Sequence, residues 1–373
     1  GLFFVNESIN DCSGVGRKIL SQFRLFNDLG ISMQLCHLES NDGLINRFVG
    51  NNSISSYPDT KIGKLLLEMS YYKLYKVIIK NKIQFIYIRY IHFSTPMFVA
   101  FLYALKKEGV IVYFEIPTYP YDSETRAVGG VSVIKKMIEK KLRRPMGRLV
   151  SRIVTFSDHS LIWGAETVNI SNAVDLSVTP MVKKNKHTDN SFHFIGVAVI
   201  SFWHGYDRMI HSMAKYYQDN KDVDRKVFFH VVGDGPEKVK LESLTAKYKL
   251  NDYVKFYGVK TGAELDAVFN QSDLAIDSLG RHRSGNSHNN SLKSKEYIAR
   301  GLPFIKSHID NSLHSNFYYN VAADESVFDL CGIIDWCEKS SFKPEQLRKE
   351  AEKYYSWDIQ IKKIVQSIQK DTL

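Results

Sequence analysis

Residues 273–305, DLAIDSLGRHRSGNSHNNSLKSKEYIARGLPFI, decide the fold of this chain. They predict a buried strand at Leu274–Ile276, a long polar loop, a helix that begins near Ser291 and a second strand at residues 303–305. A loop that leads into a helix brings backbone N–H groups and the positive end of the helix dipole to one point, which favours an anion. The carboxylate of Glu296, one turn into the helix, is well placed for a ribose hydroxyl. The alternative is an ordinary helix capped by Ser291, with Glu296 as a solvated charge.

Strand-like and helix-like segments alternate through both halves of the chain. In the first half, strands are predicted at residues 2–5, 32–37, 85–89, 110–115 and 152–156, with helices at residues 16–29, 62–81 and 96–108. In the second half, strands at residues 192–197, 227–232 and 254–256 and helices at residues 206–218, 236–248 and 261–271 precede the opening segment. This order predicts an α/β protein of two doubly wound, Rossmann-like domains that face each other across a cleft.

The predicted domain boundaries follow changes in composition. The first domain is expected at residues 1–178 and the second at residues 179–352, with the polar stretch 179–191 as the linker. Residues 353–373 are predicted as a helix that returns to the first domain.

Composition excludes several classes of protein. With 373 residues and 44% hydrophobic side chains, the chain can bury two cores. No apolar run reaches the roughly 20 residues that cross a bilayer, and no signal peptide is visible, so a cytoplasmic location is expected. The four widely spaced cysteines, Cys12, Cys36, Cys331 and Cys337, indicate free thiols in a reducing compartment. A net charge of +10 predicts an acidic partner, and the absence of any nucleic-acid-binding motif favours phosphorylated substrates or an anionic membrane over nucleic acid.

Several short motifs occur in an order that resembles a known family. They are ISNAVD (170–175), WHGYDR (203–208), VVGDGP (231–236), VKFYG (254–258), QSDLAIDS (271–278) and KEYIARGLPFI (295–305). Together they resemble the retaining glycosyltransferases of the GT-B fold, of the family-four type that builds bacterial capsules, lipopolysaccharides and other surface glycans. The resemblance covers nearly the whole chain.

The resemblance implies a nucleotide-sugar site in the second domain. Glu296 matches the second acidic residue of the family's E-x7-E motif, which holds the ribose. The backbone amides of Asn290, Ser291 and Leu292 match the loop that meets the distal phosphate and the sugar. The further residues expected around the donor are Gly258 and Val259 at the base, Gly233 of VVGDGP, and Gly14 and Gly16 near the diphosphate. For the glycines of the first domain, a plain strand-to-helix turn is the alternative.

Two departures from the family pattern concern the reacting end of the donor. His288 stands where the family has its first glutamate, and His204 stands where a lysine is common. Because a departing diphosphate needs positive charge, we expect Arg208, Lys293 and the cluster of Arg281, His282 and Arg283 to supply it. An exposed loop histidine is the alternative for His282 and for His288.

The acceptor is expected to bind the first domain. FEIPTYPYDSE (114–124) leaves a strand and enters a proline-rich loop, where the family places acceptor groups. The candidates are Arg89, Glu115, Tyr119, Asp122 and Glu124, with Glu115 joining Arg208, Lys293 and His288 as candidate catalytic residues. A turn shaped by its prolines is the alternative.

Residues 131–150, VSVIKKMIEKKLRRPMGRLV, predict a basic amphipathic helix. Val131, Ile134, Met137, Ile138 and Leu142 recur at helical spacing, and lysines and arginines fill the remaining face. This pattern suits the anionic inner face of a cell membrane, although a helix packed on its own domain shows the same stripe.

A metal is not expected. Asp222 and Asp224 form a D-V-D sequence in a polar stretch that is typical of a surface loop. Enzymes of the resembled group transfer the sugar without a metal or another cofactor.

The resemblance implies a retaining hexosyltransferase of surface polysaccharide synthesis. It would move a sugar from a nucleotide donor, UDP before GDP by frequency in the family, to a hydroxyl of a lipid-linked or oligosaccharide acceptor. The rival hypotheses are a sugar-nucleotide epimerase of the same fold and a non-catalytic scaffold that has kept the glycosyltransferase fold.

Overall fold

The computed structural model describes residues 1–9, 13–90, 94–122, 130–183, 189–219 and 225–372. The chain forms two compact units. Unit 1 comprises Gly1–Ser171 and the C-terminal segment that begins at Trp357, and unit 2 comprises Asn172–Ser356. Cys12, Glu124, Asp222 and Asp224, which the sequence singled out, lie outside the described residues.

Unit 1 contains a parallel sheet with antiparallel additions at its edges. Its elements are β1 (Leu2–Ser8), α1 (Gly14–Asp28), β2 (Gln34–Asn41), β3 (Leu44–Val49), β4 (Asn52–Pro58), α2 (Lys61–Met69), α3 (Tyr71–Lys80), β5 (Phe85–Arg89), α4 (Pro96–Lys107), β6 (Ile111–Ile116), α5 (Gly130–Gly147), β7 (Arg152–Thr155), β8 (Leu161–Ile162) and β9 (Ala165–Asn169). The strand order is β4-β3-β2-β1-β5-β6-β7-β9-β8. Every residue of β5 is buried, as expected for a central strand with both faces covered.

Unit 2 is a six-stranded parallel sheet with helices between its strands. Its elements are β10 (Ser191–Val197), α6 (Tyr206–Asp219), β11 (Lys226–Val232), α7 (Lys238–Lys247), β12 (Val254–Phe256), α8 (Gly262–Asn270), β13 (Leu274–Ile276), α9 (Leu292–Arg300), β14 (Phe304–Lys306), β15 (Tyr318–Asn320), α10 (Leu330–Ser340) and α11 (Pro344–Tyr354). The strand order is β12-β11-β10-β13-β14-β15. The chain builds outward from β10 and then returns to place β13 beside it. Ligands of open parallel sheets bind at such a reversal, beyond the carboxyl ends of the strands.

The last helix, α12 (Trp357–Thr372), belongs to unit 1. Arg152 of β7 holds Asp371 of this helix through two nitrogens, and the hydroxyl of Tyr113 donates to the same carboxylate at 2.7 Å. The units divide after Ser171 and after Ser356, near the predicted boundaries at 178 and 352 but displaced from them. The displacement has a local cause, because the backbone N–H of Val174 donates to Tyr355 and ties both segments to unit 2.

The two-domain α/β prediction is confirmed, and several local details differ. The helix predicted over residues 62–81 is two helices that divide at Ser70. The antiparallel pair β3 and β4 was not predicted. The predicted linker is part of unit 2, since Val182 packs in a core of that unit.

Gly233, the residue after β11, lies against the backbone of Ala198, the residue after β10. Its φ is +124°, and a Cβ there would lie 1.8 Å from the carbonyl oxygen of Ala198. Gly262 has a φ of +52° and open space around it. We therefore expect Gly262→Ala to lower the free energy of unfolding by about 1 kcal/mol, and Gly233→Ala to lower it by more than about 3 kcal/mol. Denaturant unfolding measures both variants, and equal losses would contradict the close approach.

Candidate functional site

Asp277, the residue after β13, is the centre of a buried polar cluster in unit 2. Its side chain is fully buried and accepts hydrogen bonds from the hydroxyls of Ser291 at 3.0 Å and Ser294 at 2.6 Å. The Nζ atom of Lys293 lies 3.2 Å from the same carboxylate. Burial alone would raise the pKa of Asp277, but Lys293, His308 and the two serines hold it well below its usual range. Asp277 is therefore a fixed negative charge.

The start of α9 is formed by the same contacts. Ser291 occupies the N-cap position, but its hydroxyl donates to Asp277 and makes no capping hydrogen bond to the helix. The N-cap side chain therefore gives the first-turn N–H groups of α9 no acceptor. Together with the helix dipole, they make this terminus a site for an anion.

A second buried pair stabilises the loop behind α9. Lys295 and Asp310 lie 2.6 Å apart, and both side chains are fully buried. The backbone N–H of Ser291 also donates to Asp310, at 3.2 Å. Carboxylates thus hold the start of α9 from two directions, Asp277 through the side chain of Ser291 and Asp310 through its backbone.

Lys293 supplies a cation beside the helix terminus. Its Nζ atom also donates to the hydroxyl of Ser278 at 3.1 Å, and 18% of its side chain is exposed. Burial and the nearby charge of Arg281 lower the pKa of Lys293, whereas Asp277 opposes this shift. Arg281 donates to the side chain of Asn289 at 2.9 Å. The cluster therefore places two cations close to one another, with one buried carboxylate.

His204 adds a neutral hydrogen-bond donor. It lies in a short 3-10 helix, Phe202–His204, and its Nδ1 accepts the backbone N–H of Ser201 at 3.0 Å. Burial and then the charge of Lys293 lower the pKa of His204 to about 2, so the imidazole is neutral. Because Nδ1 accepts, the proton resides on Nε2.

Gly205 explains why the His204 segment reaches this cluster. Its φ is +64°, and a Cβ there would lie 2.6 Å from the backbone nitrogen of Gly280. The backbone of Leu279 donates to the carbonyl of His204 at 2.9 Å. The glycine thus permits a close contact between two loops, one from β10 and one from β13.

The structure gives three of the predicted cations other partners. Arg208 is 1% exposed and donates to the carbonyls of Leu279 and Ser326. Arg283 forms a two-nitrogen ion pair with Asp207 and also contacts Glu325, whereas His282 lies 2.7 Å from Glu325. All three side chains bind protein acceptors in this structure, as Lys293 does, and their part in compensating a diphosphate stays a prediction.

The remaining predicted donor residues of unit 2 surround the ends of the strands. Glu296 is 19% exposed on α9, with one oxygen 3.0 Å from Arg300. Gly258 has a φ of +66° and accepts the backbone N–H of Gly233 at 2.7 Å, and Val259 is exposed beside it. Two further predicted residues lie in the loop that leads to α9.

Asn290 and His288 are those two residues. Asn290 is tied to Asn172, whose amide donates to its carbonyl at 2.7 Å. His288 is exposed, and its segment forms a bridge with Ile309. Its Nδ1 atom lies 3.0 Å from the hydroxyl of Ser287, and no described contact joins the ring to Asp277.

In unit 1, Glu115 is the buried acceptor of a dense network. It is fully buried and accepts from Tyr87 at 2.6 Å, Arg89 at 2.7 Å and Gln22 at 3.0 Å, with Lys18 at 3.3 Å. Burial would raise its pKa, but Lys18 and Arg89 lower it below the usual value. A fully buried, four-partner carboxylate does not support the prediction that Glu115 deprotonates an acceptor.

The other first-domain candidates make contacts separate from those of Glu115. Asp122 pairs with Arg143 at 2.7 Å, and Tyr119 packs edge-on to His159. Gly14 and Gly16 begin α1, where the hydroxyl of Ser13 accepts the N–H of Gly16 at 2.9 Å. A Cβ at Gly14 would meet nothing within 4 Å.

Sequence reasoning missed Asp277, His308 and Lys18. Asp277 had a readable signal, since a carboxylate directly follows the apolar strand LAI and ends it at the carboxyl edge of the sheet. His308 and Lys18 had none, because their partners come from distant segments. Among the described residues, no group of three or more His, Cys, Asp or Glu side chains is placed to hold a metal ion.

Comparison with known proteins agrees with this architecture. Residues 178–310, most of unit 2 up to β14 and the loop after it, match the family model of glycosyl transferases group 1. A search of curated proteins gives no match.

Three solved structures illustrate the fold. The sucrose-phosphate synthase of Thermosynechococcus elongatus is similar over 99% of this chain and 98% of its own, at 13% identity and a TM-score of 0.69. The lipopolysaccharide outer core galactosyltransferase WaaB is similar over 99% of both chains, at 13% identity and a TM-score of 0.62. The pneumococcal O-GlcNAc transferase GtfA, solved with UDP and GlcNAc, is similar over 90% of this chain and 69% of its own. The identity is 10% and the TM-score is 0.54. The chain has the GT-B fold, and the resemblance found in its motifs is confirmed.

The buried Lys18 predicts a rise in stability at alkaline pH. Burial and then the charge of Arg89 lower its pKa from 10.5 to about 7, against the opposing effect of Glu115. Between these two values the unfolded chain binds a proton that the folded chain has released, so the free energy of unfolding rises with pH, by at most about 1.4 kcal/mol per pH unit. Lys18→Met should remove this slope, whereas Lys61→Met, at an exposed lysine, should keep it. Urea unfolding at a series of pH values is the measurement, and an unchanged slope in Lys18→Met would contradict the assignment.

Proposed function

We propose that the protein is a retaining glycosyltransferase that uses a nucleotide-sugar donor. The observation that carries the proposal is the uncapped start of α9 with Lys293 beside it, at the point where the order of the strands reverses. The family match over residues 178–310 and the GT-B fold support the same chemistry.

The donor diphosphate would lie against the start of α9. The amides of Leu292 and Lys293 would bind its distal phosphate, and the ammonium of Lys293 would neutralise its charge. Arg281 would add a second cation, and the Nε2–H of His204 would donate without adding a charge. Glu296 would hold the ribose through the carboxylate oxygen that Arg300 leaves open, and Gly258 and Val259 would face the base.

We propose transfer with retention because the motifs resemble those of retaining enzymes, and the arrangement of charge would assist the departure of the diphosphate. As the glycosidic bond breaks, negative charge grows on the departing diphosphate, and fixed donors stabilise it where it develops. The acceptor hydroxyl would attack from the same face of the sugar, and no protein side chain would serve as nucleophile. Fixed cations and helix amides take the role that a metal ion has elsewhere, so we propose transfer without a metal or other cofactor.

The substrates are proposed from the resembled proteins. One similar structure carries UDP and GlcNAc, and we propose UDP as the donor nucleotide, with GDP second. Another acts in the lipopolysaccharide outer core, and we propose a lipid-linked or oligosaccharide acceptor in surface polysaccharide synthesis. Such an acceptor fits an enzyme of the cytoplasm that attaches to the inner face of the cell membrane.

The two rival functions make different demands on the same site. An epimerase would need acid–base side chains around the sugar, yet Asp277 is fully buried and bound by two serines, and His204 is held neutral. A non-catalytic scaffold would bind a nucleotide sugar without releasing the sugar. Donor hydrolysis without acceptor separates the scaffold from a transferase, because transferases lose some donor to water.

Nucleotide binding should depend on Glu296. In a thermal-shift panel of UDP, GDP, CDP and ADP without metal, we expect one nucleotide, UDP, to stabilise the protein, by about 2.7 kcal/mol at 100 times its dissociation constant. Glu296→Ala should weaken this effect. Glu264→Ala is the matched control, because Glu264 also pairs with a cation four residues away on an exposed helix. The donor site would be overturned if no nucleotide stabilised the wild type, or if UDP stabilised Glu296→Ala and Glu264→Ala equally.

Lys293 should act on the reaction and, because it pairs with the buried Asp277, also on the fold. We expect Lys293→Met to lower the rate of donor hydrolysis by about 100-fold or more, because it removes the cation nearest the leaving group. Lys247→Met, at an exposed lysine in the last turn of α7, should leave the rate unchanged. Rates are measured by release of the nucleoside diphosphate, and a Lys293→Met enzyme with the wild-type rate would exclude this role.

A further inference from the structure

Helix α5 exposes part of the apolar stripe that its sequence predicts. The exposed fractions are 45% for Val133, 58% for Ile134, 56% for Met137 and 40% for Ile138. These positions recur at helical spacing and form one stripe. Leu142 turns the other way and packs against the core of unit 1. The helix thus rests on its domain by one side and presents a second apolar side to solvent.

Helix α2 shows the same feature independently. Ile62, Leu65, Leu66 and Met69 are exposed by 72%, 46%, 45% and 43%. They stand at spacings of three, four and seven residues, which is one face of a helix. Leu67, in contrast, is buried against β3 and β4. No sequence motif had marked α2 as a surface for a partner.

Helix α4 contacts both of the helices that carry these stripes. It packs against α2 and against α5, so the three helices are neighbours on unit 1. At its start, Met97 is 49% exposed. Monomeric proteins rarely expose large contiguous apolar patches without a partner that covers them. We call the exposed apolar residues of α2, α4 and α5 the helical face.

Most of the exposed charge around the helical face is positive, although Lys64 pairs with Asp59 at 2.7 Å and Lys140 lies 3.7 Å from Asp122. Exposed cations of α5 are Lys135, Lys140, Lys141 and Arg144. The single acidic residue of α5, Glu139, is 2% exposed and accepts hydrogen bonds from Tyr90, Tyr121 and Arg143. On α2, Lys61 and Lys64 are exposed as well. The negative charge of α5 is directed inward and its positive charge outward.

We propose that the helical face docks on an anionic lipid bilayer. Apolar side chains at the centre and lysines beside them are the features of helices that lie in the plane of a membrane surface. The lysines would meet lipid phosphates while the apolar stripes enter the headgroup region. A second copy of this chain fits less well, because the same cations would then face each other. Throughout the described ranges, no helix is long and apolar enough to cross a membrane, and docking requires none.

Vesicle binding tests this proposal independently of the transferase reaction. The full chain is sedimented with vesicles of phosphatidylcholine alone and with vesicles in which about one lipid in three is phosphatidylglycerol. We expect binding to the anionic vesicles at least about tenfold tighter than to the neutral ones, weakening as salt is added. Ile134→Asp with Met137→Asp, and separately Ile62→Asp with Leu66→Asp, should each weaken binding by about tenfold or more.

The control pair is Val178→Asp with Val239→Asp, which adds the same charge at valines of unit 2 that are 65% and 72% exposed. This control should bind vesicles like the wild type, after allowance for its two added charges. Donor hydrolysis in solution should be unchanged in all three double variants, which separates loss of docking from loss of the fold or of the proposed reaction. The proposal is overturned if the wild type ignores anionic vesicles, if both helical-face variants bind like the control, or if those variants instead dissociate a dimer of the chain.

Discussion

The buried carboxylate of Asp277 is the contact on which the polar site of unit 2 depends. It ends β13, holds Lys293 at 3.2 Å and takes the hydroxyl of Ser291 away from the helix that this serine would otherwise cap. A buried charge is stable only when it is paired and hydrogen-bonded, and here two serines and a lysine meet that requirement. The arrangement therefore fixes the position of Lys293 and leaves the first amides of α9 without an acceptor from the N-cap side chain.

This single constraint links the fold to the proposed chemistry. The reversal of strand order brings β10 beside β13, and Gly205 lets the segment after β10 approach the loop after β13. That approach carries a neutral histidine, His204, to a cluster with Lys293 and Arg281. The result is a region that favours an anion through a helix terminus, cations and an uncharged donor. In the proposed reaction, such a region would stabilise a departing diphosphate without rearrangement.

The sequence predicts the parts of this site that are local in the chain. Strand β13, the start of α9 at Ser291 and strand β14 follow from contiguous patterns of apolar residues and caps. The partners of charged side chains do not, because they come from far away. Arg283 meets Asp207 and Glu325, which lie 76 and 42 residues distant, and Glu115 meets Gln22 across 93 residues. Whether a charged side chain can bind a ligand or is already paired within the protein depends on its burial. A single sequence does not show which charged side chains are buried.

The most direct test of the central claim is calorimetric titration with UDP and with uridine, for the wild type and for Lys293→Met. The two ligands differ only in the diphosphate, so the ratio of their dissociation constants measures what the start of α9 and Lys293 contribute to its binding. We predict that UDP binds the wild type at least about a hundredfold more tightly than uridine, and that Lys293→Met reduces this ratio by about tenfold or more while uridine binding is unchanged. Equal affinities for UDP and uridine in the wild type, or an unchanged ratio in Lys293→Met, would contradict the account.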